Sequence, residues 1–202
     1  MFSGAQISLY PMADDFVGII TTALEALDPY RDQLRIETDD ISTLLIGPPE
    51  VLFPAMRDLF TAAARTGTHC VLSATIARGC PGEPEGSIEV PSRYDGPLAP
   101  LTERQAAARE AVGEAPKTGV VSSAQFALYV MGQGGHMEEI NGCIDFLKSS
   151  GTFDTAKRYV TKLKGDTGAL FATLEQAFGR FGPPQGHVTI DLTVSANSPS
   201  RM

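Results

Sequence analysis

The chain has 202 residues, 43% of them hydrophobic and 20% charged, which is the composition of an ordinary globular protein with room for two small domains. Its formal net charge of -8 argues against nucleic acid as a partner, because phosphates would be repelled. No apolar run approaches the roughly 18 residues that a membrane-spanning helix needs.

The three cysteines, Cys70, Cys80 and Cys143, are an odd number without metal-binding spacing. The sequence therefore predicts no disulfide framework, no metal site and a reducing, cytoplasmic compartment. The N-terminus has no basic region ahead of an apolar one, so we expect no signal peptide. Cys80 has no identifiable base nearby in sequence, which favours packing over a nucleophilic role.

The first part of the chain predicts a strand, a helix, two strands, a helix and a strand. Residues 5–12 alternate apolar and polar side chains, as a half-buried strand does. Asp14 and Asp15 supply the cap of a helix that closes before Pro29. The remaining elements are strands at 34–37 and 41–46, a helix from Pro48-Pro49 to Gly67 and a strand at 69–77. This βαββαβ order is that of a ferredoxin-like domain.

The same pattern occurs a second time. The opening Ala-Gln-x-x-Leu-Tyr-x-Met of residues 5–12 returns at 124–131. Counting forward 118 positions places Thr43 on Thr161 and His69 on His187, and other matches keep the same order. The sequence thus predicts two tandem repeats.

The repeats are predicted to span residues 1–81 and 122–202, with a linker at 82–121 that packs against a domain. Within the linker, residues 102–112 predict a short alanine-rich helix. The second repeat predicts strands at 123–131, 153–157, 158–164 and 187–195, and helices at 136–149 and 167–181. Its first helix carries a stripe expected to pack in the core: Met137, Ile140, Ile144 and Leu147.

The fold class that follows is α+β: two ferredoxin-like repeats whose antiparallel sheets carry helices on one face only. In each repeat the last strand should pair with the first, so that their polar side chains share the open face. Small hydrogen-bonding groups beside a tyrosine suit a flat heterocycle, although a solvated sheet face would alternate in the same way. One threonine of the adjacent strand in each repeat, Thr43 and Thr161, is expected to contribute as well. The candidate ligand-binding residues are Gln6, Ser8, Tyr10, Thr43, Ser73, Thr75, Gln125, Tyr129, Thr161, Thr189, Asp191 and Thr193.

The sequence offers little for catalysis. It has no paired carboxylates, no Ser/His/Asp order and no Walker loop, so we expect neither an enzyme nor a cofactor. His69 and His187 each begin a predicted strand without a partner nearby in sequence, which favours a structural role.

Several segments resemble the YkoF family of thiamine/hydroxymethylpyrimidine-binding proteins. They are residues 8–16, 40–44, 79–82, 125–129 and 195–201. The resemblance covers nearly the whole chain and implies two ferredoxin-like (ACT-like) repeats, a homodimer, and thiamine bound through its aminopyrimidine in each repeat. It also implies a role beside a membrane uptake system for the pyrimidine precursor, without catalysis.

The sequence departs from the family pattern in places, among them Val130 where the first copy has Pro11 and a glycine-rich turn at 132–135, so equal affinity of the two sites does not follow from the resemblance. The alternative function is an ACT-like regulatory or protein-interaction module that binds another small ligand, such as an amino acid, or buries its open faces in an interface.

Overall fold

The computed structural model describes residues 2–79, 91–131, 136–182 and 186–200. Cys80, the first part of the linker and the glycine-rich turn at 132–135 lie outside these ranges. In chain order the elements are β1 Ser3–Pro11, α1 Phe16–Glu25, a 3-10 turn Asp28–Tyr30, β2 Arg35–Thr38, β3 Thr43–Ile46, α2 Pro49–Ala64, β4 Cys70–Arg78, α3 Leu101–Gly113, β5 Val121–Met131, α4 His136–Ser149, β6 Phe153–Ala156, β7 Thr161–Asp166, α5 Thr167–Arg180 and β8 His187–Ala196.

Each half of the chain forms a four-stranded antiparallel array. The strand order is β2-β3-β1-β4 in the first half and β6-β7-β5-β8 in the second. In each half one helix follows the first strand and another follows the third. Strand residues alternate between buried side chains under the helices and more exposed ones on the other face, as in the pattern of β8. The predicted α+β fold class with tandem ferredoxin-like units is confirmed; the boundaries at 81/82 and 121/122 stay a prediction.

The two arrays merge into one eight-stranded sheet. β4 pairs antiparallel with β8 from Cys70↔Ala196 to Arg78↔Val188. At the middle of this ladder Ala74 faces Leu192, which is its own equivalent 118 positions later. The repeats are therefore related by an approximate twofold axis through this pair, a feature that sequence reasoning did not predict.

The helices above the junction obey the same symmetry. Phe53 of α2 packs on Phe178 of α5 with ring centroids 5.6 Å apart, and Phe60 packs on Phe171 at 6.4 Å. These two contacts exchange equivalent residues of the repeats. All four rings are buried in one continuous core, and each tilted pair contributes about 0.5–1.5 kcal/mol beyond the burial of its area.

The helix predicted at 102–112 is confirmed as α3, which packs against α4 and α5. The core stripe predicted for α4 is wrong in part. Leu147 is buried, but Met137 and Ile144 are exposed, and Cys143 and Phe146 form the buried side instead. The reason is that α3 covers one flank of α4 and thereby sets which side of the helix is enclosed.

Among the described residues, no helix is long and apolar enough to cross a membrane.

Candidate functional site

Most of the predicted site residues share the sheet face opposite the helices. Ten of the twelve lie there, Thr43 and Thr161 being the exceptions. One cross-strand line runs Ser8, Ser73, Thr193 and Gln125, from β1 to β5. The predicted residues of the two repeats thus meet across the β4–β8 junction and form one polar surface over the four central strands.

The next line across the same face contains the acidic member of the set. Gln6 lies opposite Thr75, which lies opposite Asp191. Thr189 lies opposite Tyr129 on β5. The antiparallel pairing predicted between the first and last strand of each repeat is therefore correct.

Tyr10 and Tyr129 lie near opposite ends of this surface. Because β1 and β5 run antiparallel to each other in the merged sheet, the two ends of these strands point in opposite directions. The tyrosines are 51% and 52% exposed, so each offers a ring face to solvent.

Thr43 and Thr161 face the helix layer. Each lies opposite a buried residue of the first strand, Ile7 and Phe126 respectively. Thr43 is buried, with its hydroxyl 3.0 Å from that of Thr38. Thr161 is only half-buried and lines a cavity.

That cavity opens where β5 loses its outer neighbour. β7 pairs with β5 only as far as Phe126, so the rest of β5 has a free edge. Between this edge, α4 and the β6–β7 hairpin lies a cavity of about 320 Å³, a size that suits a small ligand. Its walls are mainly apolar, and they include Phe126, Leu128, Ile140, Ile144, Phe153 and Val160. Tyr129, Thr161, Lys148 and Lys157 add polar groups.

A second hollow of about 410 Å³ adjoins the first along β5 and includes Tyr129, Met131 and Thr189. Three of the twelve predicted residues, Tyr129, Thr161 and Thr189, therefore line the cavities that flank β5. The others are spread over the open face, apart from the buried Thr43.

Sequence reasoning missed the apolar walls of the cavity. Ile140 and Ile144 have the spacing of core residues, and nothing in the spacing distinguishes a wall from a core. A signal was present in the repeat itself: both copies carry a large apolar residue at the tip of the hairpin, Ile41 and Tyr159, where no core needs one. Both are exposed in the structure.

The hairpin of the first repeat is tied to β1 by side chains. Gln6 donates from Nε2 to Ser42 Oγ at 2.5 Å, and the Ser8 hydroxyl donates to the Ile41 carbonyl at 3.1 Å. Two of the predicted ligand-reading groups are thus engaged within the protein.

The second repeat lacks both ties. Ala127 and Val160 occupy the positions equivalent to the two serines, so neither of these two hydroxyl contacts can form. The equivalent glutamine, Gln125, instead accepts a long hydrogen bond of 3.4 Å from Lys157 Nζ. The cavity beside β5 lies in this less restrained repeat.

Comparison with known proteins identifies the repeated unit. The sequence model of the YKOF-related Family matches residues 2–83 and again residues 121–201, once for each βαββαβ unit. The chain belongs to this family. The "Putative HMP/thiamine-binding protein YkoF" of Bacillus subtilis (strain 168) is 35% identical over 199 residues, which cover 98% of this chain and 92% of that protein. The resemblance inferred from the motifs is confirmed.

The described thiols of this YKOF-related protein are poorly suited to nucleophilic chemistry. Burial raises the pKa of Cys70 to about 11. Burial, aided by the nearby charge of Glu139, raises the pKa of Cys143 as well. Because the thiolate is the reactive form, both cysteines are held in the unreactive one. Within the described ranges, no group of three or more His, Cys, Asp or Glu side chains could hold a metal ion.

Proposed function

We propose that this protein binds thiamine or its hydroxymethylpyrimidine moiety without transforming it, with one site in each repeat. The observation that carries the proposal is the apolar cavity at the free edge of β5, beside the exposed ring of Tyr129. The name of the B. subtilis relative supplies the ligand class.

The cavity supplies what a flat, polar-edged ring needs. Tyr129 offers a face for stacking, and the isoleucines of α4 offer an apolar surface on another side. Beyond Phe126, β5 has no strand partner on this flank, so backbone N–H and C=O groups are available to ring nitrogens and an amino group. The Thr161 hydroxyl adds a group that both donates and accepts.

The first repeat is proposed to bind its ligand at the equivalent place, around Tyr10. Gln6, Ser8, Ser73 and Thr75 remain proposed contacts there, together with the buried Thr43. In the second repeat Thr189 lines the adjoining hollow, and Gln125, Asp191 and Thr193 are proposed to contact the part of the ligand that extends from the cavity over the open face. The carboxylate of Asp191 suits a protonated ring nitrogen or a thiazolium charge.

The wider role is proposed from family similarity. We propose a cytoplasmic homodimer that supports uptake or salvage of the pyrimidine precursor beside a membrane transporter. The raised thiol pKa values argue against Cys70 and Cys143 as nucleophiles, and Cys80 lies outside the described residues.

A second candidate is a regulatory or protein-interaction module. The observation in its favour is the flat polar surface across the four central strands, which has the form of an interface. Such a module would use the surface and leave the cavities beside β5 without a role.

Calorimetric titration separates the two candidates. Thiamine, hydroxymethylpyrimidine and several amino acids are titrated into the full chain, and we expect saturable pyrimidine binding near two per chain. Ile144→Trp, which fills the cavity from an exposed helix position, should remove one site, and Tyr10→Ala should weaken the other. Val121→Ala, another exposed apolar position, is the control and should change nothing.

If neither thiamine nor hydroxymethylpyrimidine gives a binding signal, the proposal is contradicted. Unchanged binding in Ile144→Trp would also contradict it, because the ligand would then lie elsewhere. Sedimentation of the same samples tests the homodimer.

A further inference from the structure

The hairpin turns of the two repeats carry opposite charges. Asp39 and Asp40 form the turn between β2 and β3, and at the equivalent positions, 118 residues later, stand Lys157 and Arg158. Each turn contacts the neighbouring tyrosine-bearing strand through a side chain: Ser8 of β1 donates to the Ile41 carbonyl, and Lys157 donates to Gln125 of β5. The first site therefore has an acidic turn beside it, and the second site has a basic one.

The acidic turn is fixed in place. The Asp39 carboxylate accepts backbone N–H groups from Ile41 and Ser42, each at 2.8 Å. These hydrogen bonds fix the carboxylate in place and hold the pKa of Asp39 below its usual range; the group would be ionised at neutral pH without them. Since Ser8 also binds the Ile41 carbonyl, this charge is held next to β1.

The basic turn faces a cavity instead. Lys157 lines it from the hairpin, and Lys148 lines it from the last turn of α4. Among the described residues, neither lysine forms a salt bridge with a carboxylate, and Lys157 Nζ makes only a long hydrogen bond of 3.4 Å to Gln125 Oε1. The helix dipole by itself would favour Lys148, which lies in the last turn of α4, but it does not account for Lys157 on the hairpin.

An apolar cavity bordered by lysines from two different elements suits a flat ring that bears an anion. Phe126 and the isoleucines of α4 provide the apolar walls, and the two lysines stand on different elements of the same cavity. A phosphate group offers several charged acceptor oxygens, which can take hydrogen bonds from both lysines together.

We propose that the second repeat selects a phosphate monoester of the heteroaromatic ligand, whereas the first repeat selects the unphosphorylated, cationic form. This inference rests on the proposed function and names the ligand class of each site. The phosphate is held by Lys148 and Lys157, and the Asp39-Asp40 turn repels the same group from the first site.

The test compares thiamine with thiamine monophosphate by calorimetry. In a Tyr10→Ala background, which weakens the first site, the monophosphate should bind the second site about tenfold more tightly than thiamine does. Lys148→Met/Lys157→Met should abolish this preference. Lys157→Asp/Arg158→Asp, which gives the second repeat the turn charges of the first, should reverse the preference. Lys164→Met, an exposed lysine of β7 outside the cavity, is the charge-matched control.

The outcomes distinguish failure of this inference from failure of the proposed function. If thiamine binds both sites but the monophosphate has no advantage at the second, the inference is overturned and the proposed function stands. If the preference survives loss of both lysines or falls equally in Lys164→Met, general charge is responsible and the inference is again overturned. If neither compound binds the wild-type chain, the proposed function fails, and the inference fails with it.

Discussion

Arg104 offers a direct test of how the linker is anchored. It lies in α3, is only 7% exposed, and its guanidinium makes hydrogen bonds to three different segments. It donates to both carboxylate oxygens of Glu139 in α4 at 2.7 and 2.8 Å, to the Ala99 carbonyl at 2.8 Å and to the Arg180 carbonyl at 2.6 Å. A bidentate pair between an arginine and a carboxylate, such as Arg104 and Glu139, is among the stronger polar contacts in proteins.

Arg104→Met keeps the apolar stem and removes all of these bonds. Glu139 then retains one described partner, the Gly182 N–H at 2.8 Å, while its side chain is only 15% exposed. Removing one partner of a buried pair leaves an uncompensated charge and costs about 3–5 kcal/mol. Because water can reach part of Glu139, we expect the lower end, about 3 kcal/mol.

Urea unfolding followed by circular dichroism measures the loss as a lower midpoint at unchanged slope. The double variant Arg104→Met/Glu139→Leu should recover a large part of the stability, because it also removes the stranded charge. Arg31→Met is the control: its ion pair with Asp28 is 59% and 62% exposed and should contribute less than about 1 kcal/mol. If Arg104→Met loses no more than the control does, the buried pair does not anchor the linker.

Three further predictions follow from other contacts. Hydrogen bonds from the Arg104 guanidinium hold the pKa of Glu139 below its usual 4.5. The ionised carboxylate therefore stabilises the fold above that pH, and this contribution is lost as the pH falls below it. Measuring the melting temperature at decreasing pH should show this loss in the wild type and less of it in the Arg104→Met/Glu139→Leu variant. Gly168→Ala should cost about 1–3 kcal/mol in urea unfolding, because a Cβ there would overlap the backbone carbonyl of Pro116, whereas Gly113→Ala meets nothing and should be neutral or stabilising by at most about 1 kcal/mol. Cys143 should be alkylated far more slowly in the folded protein than in urea, as measured by mass spectrometry, and equal rates would show that its burial is not maintained in solution.

The fold was largely predictable because the pattern of each strand and helix occurs twice in the sequence. Alternation in β1 and β8 and helical spacing in α5 are local patterns, and each occurs with a matching copy 118 or 119 residues away. The pairing of first and last strands followed from the usual ferredoxin-like order. What the sequence could not reveal is the β4–β8 junction, since the edge of a four-stranded array has the same alternation whether it meets solvent or another strand.

The candidate site was predictable only in part, for a related reason. Period-two alternation assigned Tyr129 and Thr189 to the open face correctly, but it carries no information about where a strand loses its neighbour. The cavity depends on β7 ending its pairing at Phe126, which is a matter of length and register. It also depends on α3, whose contact with α4 turns Ile144 out of the core.

The pairing of Ala74 with its own counterpart Leu192 also bears on how the protein can evolve. An assembly of two identical chains about such an axis would have to keep both binding places alike, since every mutation would appear twice. Here both halves belong to one polypeptide, so the acidic and basic turns could diverge independently while the shared centre remained intact. A duplicated gene can in this way offer two chemically distinct receptors on a single rigid frame.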